Sequence, residues 1–226
     1  MYHAIGASGE DAARFVLPVS AFAAQMRLLA ALRFRVVRLD EAVRALGAGE
    51  NLPRRAVALT FDDGTDDLRL AALPVLERHD FPATAFVVTQ AMGTTVGWTE
   101  HVGIAGRDTL TWDDALTLSP LITLQPHTRT HASLRGLADD ALLVELAGSR
   151  RDVEEKTGRA ADVFAYPYGH YDSRVVAAVA EAGYAAACTV KPGVNDSQTP
   201  RYELRRYEVP GDTSLRAFAA FLLRSS

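Results

Sequence analysis

Two adjacent carboxylates, Asp62 and Asp63, follow an apolar stretch of the chain and precede a glycine. Residues 56–61 are almost continuously apolar, which predicts a parallel β-strand covered on both faces. Two carboxylates at the end of a buried strand are costly unless a cation or hydrogen bonds compensate their charge. The pair is therefore a candidate cation site, and a plain turn in which Asp63 caps a helix is the competing interpretation.

A pair of histidines, His127 and His131, follows a second predicted strand at residues 121–124. If the stretch after Pro126 is helical, the two imidazoles lie one turn apart on the same face. That spacing suits two ligands of one metal ion. The stretch is not the zinc-protease motif, because Thr128 stands where that motif has its glutamate. Two unconnected surface histidines would give the same spacing.

An aromatic loop follows a third predicted strand at residues 163–166 and reads Pro-Tyr-Gly-His-Tyr-Asp over residues 167–172. Aromatic rings at the mouth of a sheet suit a sugar or another flat ligand, and ordinary turn packing is the alternative. Together the three strand ends supply one aspartate and two histidines as ligands, with one spare carboxylate. A three-ligand site with open positions is typical of catalytic metals. The chemistry indicated is metal-assisted hydrolysis of an amide or ester, with the spare carboxylate accepting a proton from water.

The elements that must position these residues alternate along the chain between strand and helix patterns. Predicted strands cover residues 35–39, 56–61, 83–88, 121–124, 163–166, 184–190 and 204–209, and predicted helices cover residues 21–32, 40–47, 68–79, 139–157 and 173–182. This alternation predicts a single α/β domain over residues 1–226 with a mostly parallel sheet, either a barrel or an open sheet. Barrels carry their chemistry on the loops after the carboxyl ends of the strands, where all three motifs fall.

Composition excludes several classes of protein. The chain has 226 residues, of which 48% are hydrophobic and 23% charged, as in ordinary globular proteins. Its 24 Lys and Arg against 28 Asp and Glu give a net charge of −4, which excludes a globally basic nucleic-acid binder. The single cysteine, Cys188, excludes an intramolecular disulfide and a Cys-rich zinc module. No apolar run approaches the ~20 residues of a membrane span. The first residues lack the pattern of a signal peptide, so we expect a cytoplasmic protein as the sequence stands, or an extracytoplasmic one if a leader precedes it.

The three motifs resemble those of a known family. Residues 60–64 (Thr-Phe-Asp-Asp-Gly), 127–131 (His-Thr-Arg-Thr-His) and 164–169 (Phe-Ala-Tyr-Pro-Tyr-Gly) are similar to the first three motifs of the polysaccharide deacetylases, the NodB-homology domains of carbohydrate esterase family four. Residues 81–87 and 182–184 also resemble connecting segments of that family. Tyr2-His3 and the helix after them resemble the N-terminal part of branches that act on exopolysaccharides. The resemblance thus covers nearly the whole chain.

The resemblance implies a distorted (β/α) barrel and N-deacetylation of an acetylated amino-sugar oligosaccharide or polysaccharide. By position, Asp62 would be the general base. Asp63, His127 and His131 would hold one divalent metal ion, most commonly zinc, with cobalt and nickel as alternatives. The backbone N–H of Tyr168 would contribute to the oxyanion hole, a donor whose loss typically costs ~10²–10³ in rate.

The chain also departs from the family pattern at the residues that orient the general base and act as the general acid. The third motif of the family usually begins with an arginine that orients the base, and this chain has Ala165 there; Arg205 or Arg206 is the candidate replacement. The late Leu-x-His motif, whose histidine is the general acid, is absent, because no histidine follows His170. His170 is the candidate acid, and His3 is a second histidine placed to point into the site.

Three further residues are candidates for substrate binding: Tyr166, Pro167 and Trp98. The expected partner is an acetylated amino-sugar glycan, with no nucleic acid. Two other functions fit the same residues, namely an amidase acting on a small non-sugar C–N substrate and a non-catalytic carbohydrate-binding domain that retains the metal site.

Overall fold

The computed structural model describes residues 1–7, 13–50, 52–98 and 103–223. Its strands are β1 (Ala4–Gly6), β2 (Val16–Pro18), β3 (Arg35–Val36), β4 (Ala56–Val57), β5 (Leu59–Phe61), β6 (Ala83–Val87), β7 (Ile122–Pro126), β8 (Val163–Ala165) and β9 (Ala186–Cys188). Its helices are α1 (Val19–Ala31), α2 (Leu39–Gly47), α3 (Leu73–Glu77), α4 (Trp112–Thr117), α5 (Asp139–Thr157), α6 (Ser173–Glu181) and α7 (Leu215–Leu223). Every ladder between these strands is parallel, which confirms the predicted fold class, a distorted (β/α) barrel.

The centre of the barrel is the three-stranded sheet β5–β6–β7, whose residues are all buried. Their apolar and threonine side chains suit a sheet that is covered on both faces. On the outer face, Phe22 of α1 packs edge-on against Tyr2, at 5.2 Å between ring centroids, and against Phe61, at 5.8 Å. This packing fixes the position of β5, and β5 leads directly into the Asp62-Asp63 turn.

The predicted strand at residues 204–209 is wrong as a regular strand, because this segment changes its partner halfway along. Leu204 donates its N–H to Ala187 of β9, at 2.9 Å between N and O, and farther on Val209 donates to Met1, also at 2.9 Å. The N-terminal residues continue the closure, since Tyr2 donates to Thr60 at 2.8 Å. The segment therefore closes the barrel between β9 and β5 without forming a ladder of its own.

A side chain bridges the barrel between β7 and β8, where the described part of the chain has no backbone ladder. The buried Gln125 donates from Nε2 to the carbonyl oxygen of Ala160 at 3.2 Å, and its Oε1 accepts from the N–H of Val163 at 2.8 Å. Both bonds have the polarity that a backbone neighbour would supply. Gln125 thus bonds to the backbone polar groups at the edge of β8, at the place where the barrel is distorted.

Long helices cover the outside of the barrel. The longest, α5, carries Asp139 and Asp140 in its first turn, where carboxylates interact favourably with the helix dipole, and it ends at Gly158 with φ of 66°. One face of α5 packs beside β7, and its Leu142 and Leu146 belong to the same buried cluster as Phe164 of β8. None of the helices that the structure describes combines the length and apolarity needed to cross a lipid bilayer.

Replacing Gln125 with leucine tests the side-chain bridge. The change keeps the approximate volume but leaves the buried Val163 N–H without a partner, whereas Ala160 is exposed and its carbonyl can bond to water. A buried group without a partner costs about 1–3 kcal/mol, so we expect the free energy of unfolding to fall by about 1–3 kcal/mol in urea denaturation.

The matched control is the same substitution at Gln25, which is also buried. Gln25 accepts from the Tyr2 hydroxyl, and its Nε2 is buried without a partner in the described part of the chain. Gln25→Leu therefore leaves the Tyr2 hydroxyl without its acceptor but also removes a polar group that had no partner. Equal destabilisation by the two substitutions would contradict the assignment of Gln125 as the bridge.

Candidate active site

The Asp62-Asp63 pair lies in a tight turn directly after β5. Asp63 and Gly64 both adopt left-handed backbone conformations, with φ of 72° and 68°. A Cβ on Gly64 would stand 3.0 Å from Cγ1 of Val87, so the turn also requires glycine for close approach to β6. This geometry directs both carboxylates into the mouth of the barrel, where each residue is only 3% exposed.

The two histidines come together through a tight loop, and the helical turn that would have placed them on one face does not form after Pro126. β7 continues to Pro126, and the N–H of His127 still donates to the carbonyl oxygen of Val87 in the neighbouring strand β6. Thr128 and His131 then take left-handed conformations, with φ of 67° and 61°, which a right-handed helix does not allow. The Thr128 hydroxyl accepts from the N–H of His131 at 2.9 Å and closes the loop.

This loop places both imidazoles against Asp63. The Oδ1 atom of Asp63 lies 3.1 Å from Nε2 of His131 and 3.8 Å from Nε2 of His127. The three candidate ligand atoms lie within 4.8 Å of one another, and all three residues are buried. The structure therefore brings together the three residues that the sequence predicts as metal ligands.

The chemistry of these donors fits a divalent ion. His127 Nδ1 lies 2.8 Å from the carbonyl oxygen of Ala165, a contact that orients the ring and leaves Nε2 directed toward Asp63. Burial, and then the charge of His131, lower the pKa of His127 to about 4, so this ring is neutral at physiological pH, as a ligand must be. Nδ1 of His131 is buried without a hydrogen-bond partner in the described part of the chain. Two imidazole nitrogens and one carboxylate oxygen are a typical zinc-type ligand set.

The second carboxylate, Asp62, is held by an arginine. Arg206 forms a bidentate pair with it, Nη1 to Oδ1 at 2.6 Å and Nη2 to Oδ2 at 2.8 Å, and its Nε donates to Thr189 O at 2.9 Å. Burial is the largest single influence and would raise the pKa of Asp62, but the charge of Arg206, its hydrogen bonds and the neighbouring histidines together outweigh burial and hold that pKa well below its usual range. Asp62 is thus an oriented, ionised carboxylate beside the Asp63 cluster.

The aromatic loop after β8 frames the other side. Tyr168 has a φ of 57°, and its ring lies 4.6 Å from that of His131. In the described part of the chain nothing accepts the N–H of Tyr168, which leaves that donor free for a ligand. Tyr166 lines the cavity, whereas Pro167 is buried beneath the loop and does not appear in the cavity wall.

Trp98 covers His131 beside the aromatic loop. Its indole stacks on His131, at 4.9 Å between ring centroids, and its Nε1 donates to Asp63 Oδ1 at 3.2 Å. The Tyr168 hydroxyl donates to the Trp98 carbonyl at 3.2 Å and ties the two aromatic residues together. Trp98 is therefore placed beside the candidate ligands, next to residues 99–102, which lie outside the described part of the chain.

The two candidate acids have different positions. His170 is exposed, with Nδ1 3.1 Å from Ser133 Oγ, and it is not among the described residues that line the cavity. His3 is half-buried, stacks on Phe15 at 4.1 Å and lines the same cavity as Asp62 and Asp63. The structure thus brings His3 into the site and leaves His170 at the surface.

The cavity that contains these groups has a volume of about 250 Å³. Its wall consists of His3, Arg14, Phe15, Asp62, Asp63, His127, His131, Tyr166, Tyr168, Val190 and Glu208. No pattern in the sequence marks Arg14, Phe15, Val190 or Glu208 as lining residues. Arg206 is a candidate from sequence only together with Arg205. The alternation of buried Leu204, exposed Arg205 and buried Arg206 is the signal that separates the two arginines.

The fold and the cluster define a parallel α/β barrel with a buried Asp-His-His site of the type that binds a divalent ion. Comparison with known families matches residues 49–187 to the family described as polysaccharide deacetylase. The match spans more than half of the chain. The chain therefore belongs to the polysaccharide deacetylase family.

Individual relatives agree with this membership. YxkH of Bacillus subtilis (strain 168), classed with the polysaccharide deacetylases, is 27% identical over 223 residues, which cover 98% of this chain and 74% of YxkH. The poly-β-1,6-N-acetyl-D-glucosamine N-deacetylase of Staphylococcus epidermidis is 24% identical over 202 residues, 84% of this chain and 67% of that protein. Among solved structures, IcaB from Ammonifex degensii is similar in fold, with a TM-score of 0.82 at 21% identity, covering 99% of this chain and 96% of IcaB.

Substituting Arg206 tests the buried ion pair. Arg206→Met leaves the Asp62 carboxylate buried without its partner, and breaking such a pair typically costs about 3–5 kcal/mol of stability. We expect urea denaturation at neutral pH to show a loss of this size, and Asp62→Asn in the same chain to restore part of it. The neighbouring Arg205→Met is the control, because Arg205 is exposed. Equal effects of the two arginine substitutions would contradict the pairing.

Proposed function

We propose that this protein is a metal-dependent hydrolase that removes N-acetyl groups from an acetylated amino-sugar polysaccharide or glycoconjugate. The observation that carries the proposal is the arrangement of two buried carboxylates: Asp62 held ionised by Arg206, and Asp63 held against His127 and His131. One carboxylate is placed to bind a metal ion and the adjacent one is left to act on a proton. Family membership supports the same chemistry.

A divalent ion bound by Asp63, His127 and His131, zinc or alternatively cobalt or nickel, would supply Lewis acidity that polarises a carbonyl and makes water more acidic. Asp62 would accept the proton of the attacking water as general base. Arg206 would orient that carboxylate through its two hydrogen bonds. The free N–H of Tyr168 would donate to the oxygen on which negative charge develops.

The leaving amine needs a proton, and the geometry favours His3 as the donor. Among the described residues of the cavity wall, His3 is the histidine that is not in the candidate ligand set. It stacks on Phe15, which restricts the orientation of its ring. We assign the acid role to His3 and treat His170 as a surface residue.

The substrate class follows from the walls of the cavity and from the relatives. Phe15, Tyr166, Tyr168 and Trp98 surround the ligand cluster with aromatic faces, which suit the apolar faces of sugar rings. The S. epidermidis relative carries the name of an N-deacetylase of a poly-N-acetylglucosamine. Both observations support an acetylated amino-sugar chain as the substrate.

Two substitutions separate metal binding from catalysis. We expect His127→Ala to abolish both zinc binding in calorimetric titration of metal-free protein and acetate release from acetylated chitooligosaccharides. Asp62→Asn should retain zinc binding and lower the rate of acetate release by about 10²–10⁴-fold, the usual contribution of a general base. Asp140→Asn and His79→Ala are the matched controls, because neither residue is among the described residues that line the cavity.

The alternatives predict different results in the same assays. Acetate or amine release from small amides, without turnover of the oligosaccharides, would identify an amidase and overturn the glycan proposal. Saturable glycan binding without turnover in the presence of zinc, cobalt or nickel would identify a binding domain. Full activity of Asp62→Asn would remove the base assignment.

The two candidate acids are tested by the same substitution at both positions. We expect His3→Gln to reduce kcat by about 10²–10⁴-fold, because a positioned proton donor to the leaving amine is lost. His170→Gln, on the exposed loop, should leave kcat within about two-fold of the parent protein, since only general acids and bases carry such a contribution. The opposite pattern would return the acid role to His170.

A further inference from the structure

The loop that carries both histidine ligands has a backbone that must be held in place from outside. Two of its five residues, Thr128 and His131, are left-handed although neither is glycine, with φ of 67° and 61°. Such conformations cost about 1–3 kcal/mol each and persist only where the surroundings impose them. Contacts from other elements must therefore hold the loop in this conformation.

One constraint comes from Glu145 of α5, a carboxylate that is only 8% exposed. Its Oε2 accepts from the N–H of Arg129 at 2.8 Å and from the N–H of Thr130 at 3.0 Å, and its Oε1 accepts from Thr130 Oγ1 at 2.6 Å. All three donors belong to the two residues between Thr128 and His131. Glu145 thus binds the loop as an anion in a ring of donors, and charge-assisted bonds of this kind are about twice as strong as neutral ones.

A second constraint involves Gly148 and Asp152, which lie about one and two turns beyond Glu145 on the same face of α5. Arg129 forms a bidentate pair with Asp152, at 2.9 Å from Nε and 3.0 Å from Nη2. To reach it, the side chain crosses Gly148, where a Cβ would stand only 2.6 Å from Arg129 Cδ. Positions 145, 148 and 152 share one helix face, so a carboxylate, a gap and a second carboxylate form one docking surface for the loop.

We propose that this face of α5 sets the affinity of the metal site, with Glu145 as the positioning residue for His131. The inference rests on the proposed metal-binding function. Glu145 touches neither the candidate ligand atoms nor the cavity, and it acts through the backbone. Without its three bonds the loop keeps the bond from His131 N–H to Thr128 and the backbone bonds from Thr89 and Gln90, but residues 129 and 130 lose their anchor. Nε2 of His131 is then held less firmly at 3.1 Å from Asp63 Oδ1. Partners beyond the ligands typically change metal affinity by about 10–100-fold.

The test is calorimetric titration of metal-free protein with zinc, which needs no substrate. We expect Glu145→Ala to weaken zinc binding by about 10–100-fold. Glu145→Gln should weaken it much less, because its amide oxygen can still accept both backbone N–H groups while the Thr130 hydroxyl turns to accept from the amide. Glu155→Ala on the same helix is the matched control, since Glu155 is exposed.

A change at Gly148 gives an independent check if Glu145→Ala does not fold. Gly148→Ala displaces the Arg129 side chain and leaves the Glu145 carboxylate in place, so zinc affinity should fall while thermal unfolding of the metal-free protein still shows a cooperative transition. The inference would be overturned, and the proposed function left standing, if folded Glu145→Ala bound zinc as tightly as the parent protein. If Glu145→Ala is unfolded, the same result in Gly148→Ala would overturn it. A parent protein that binds no divalent ion would overturn the proposed function and this inference together.

Discussion

The buried pair of Asp62 and Arg206 is the interaction on which the rest of the structure depends. Neither ion is tolerable alone in the interior, so the segment that carries Arg206 must reach the end of β5. The same guanidinium donates to Thr189, just past β9, and to Thr60 Oγ1 at 3.2 Å. One side chain therefore joins β5, β9 and the closing segment where regular ladders are lacking. The Arg206–Asp62 pair therefore both closes the barrel and orients the candidate base.

The site is assembled from backbone conformations that the sequence does not favour locally. Of the non-glycine residues with positive φ in the described part of the chain, Asp63, Thr128, His131 and Tyr168 lie in the site. Each follows a strand end, and each is held by contacts with other elements. The rigid barrel and α5 supply the free energy that keeps these residues in place, so binding geometry at the mouth is a property of the whole fold.

A parallel α/β fold and a site of one aspartate with His127 and His131 could be predicted from the residues, because the strand ends converge. The barrel and the choice of Asp63 as the ligand are implied only by the family resemblance. The spacing of the two histidines does not reflect a helical turn, since Thr128 and His131 adopt left-handed backbone conformations. Arg206 could not be separated from Arg205 without attention to alternating burial. Glu145 could not be predicted, because a glutamate on an amphipathic helix looks like a solvent-facing residue until the loop it binds is known.

The side-chain bridge at Gln125 has a consequence for how such a barrel can vary. A backbone ladder fixes neighbouring strands about 4.8 Å apart, and changing that distance means changing the sheet. Between β7 and β8 the strands are joined instead by side chains, namely the Gln125 amide and the contact of His127 Nδ1 with Ala165 O. β7 leads to the histidine loop and β8 leads to the aromatic loop of Tyr168. A substitution at position 125 therefore changes the support between these two loops without removing any backbone ladder.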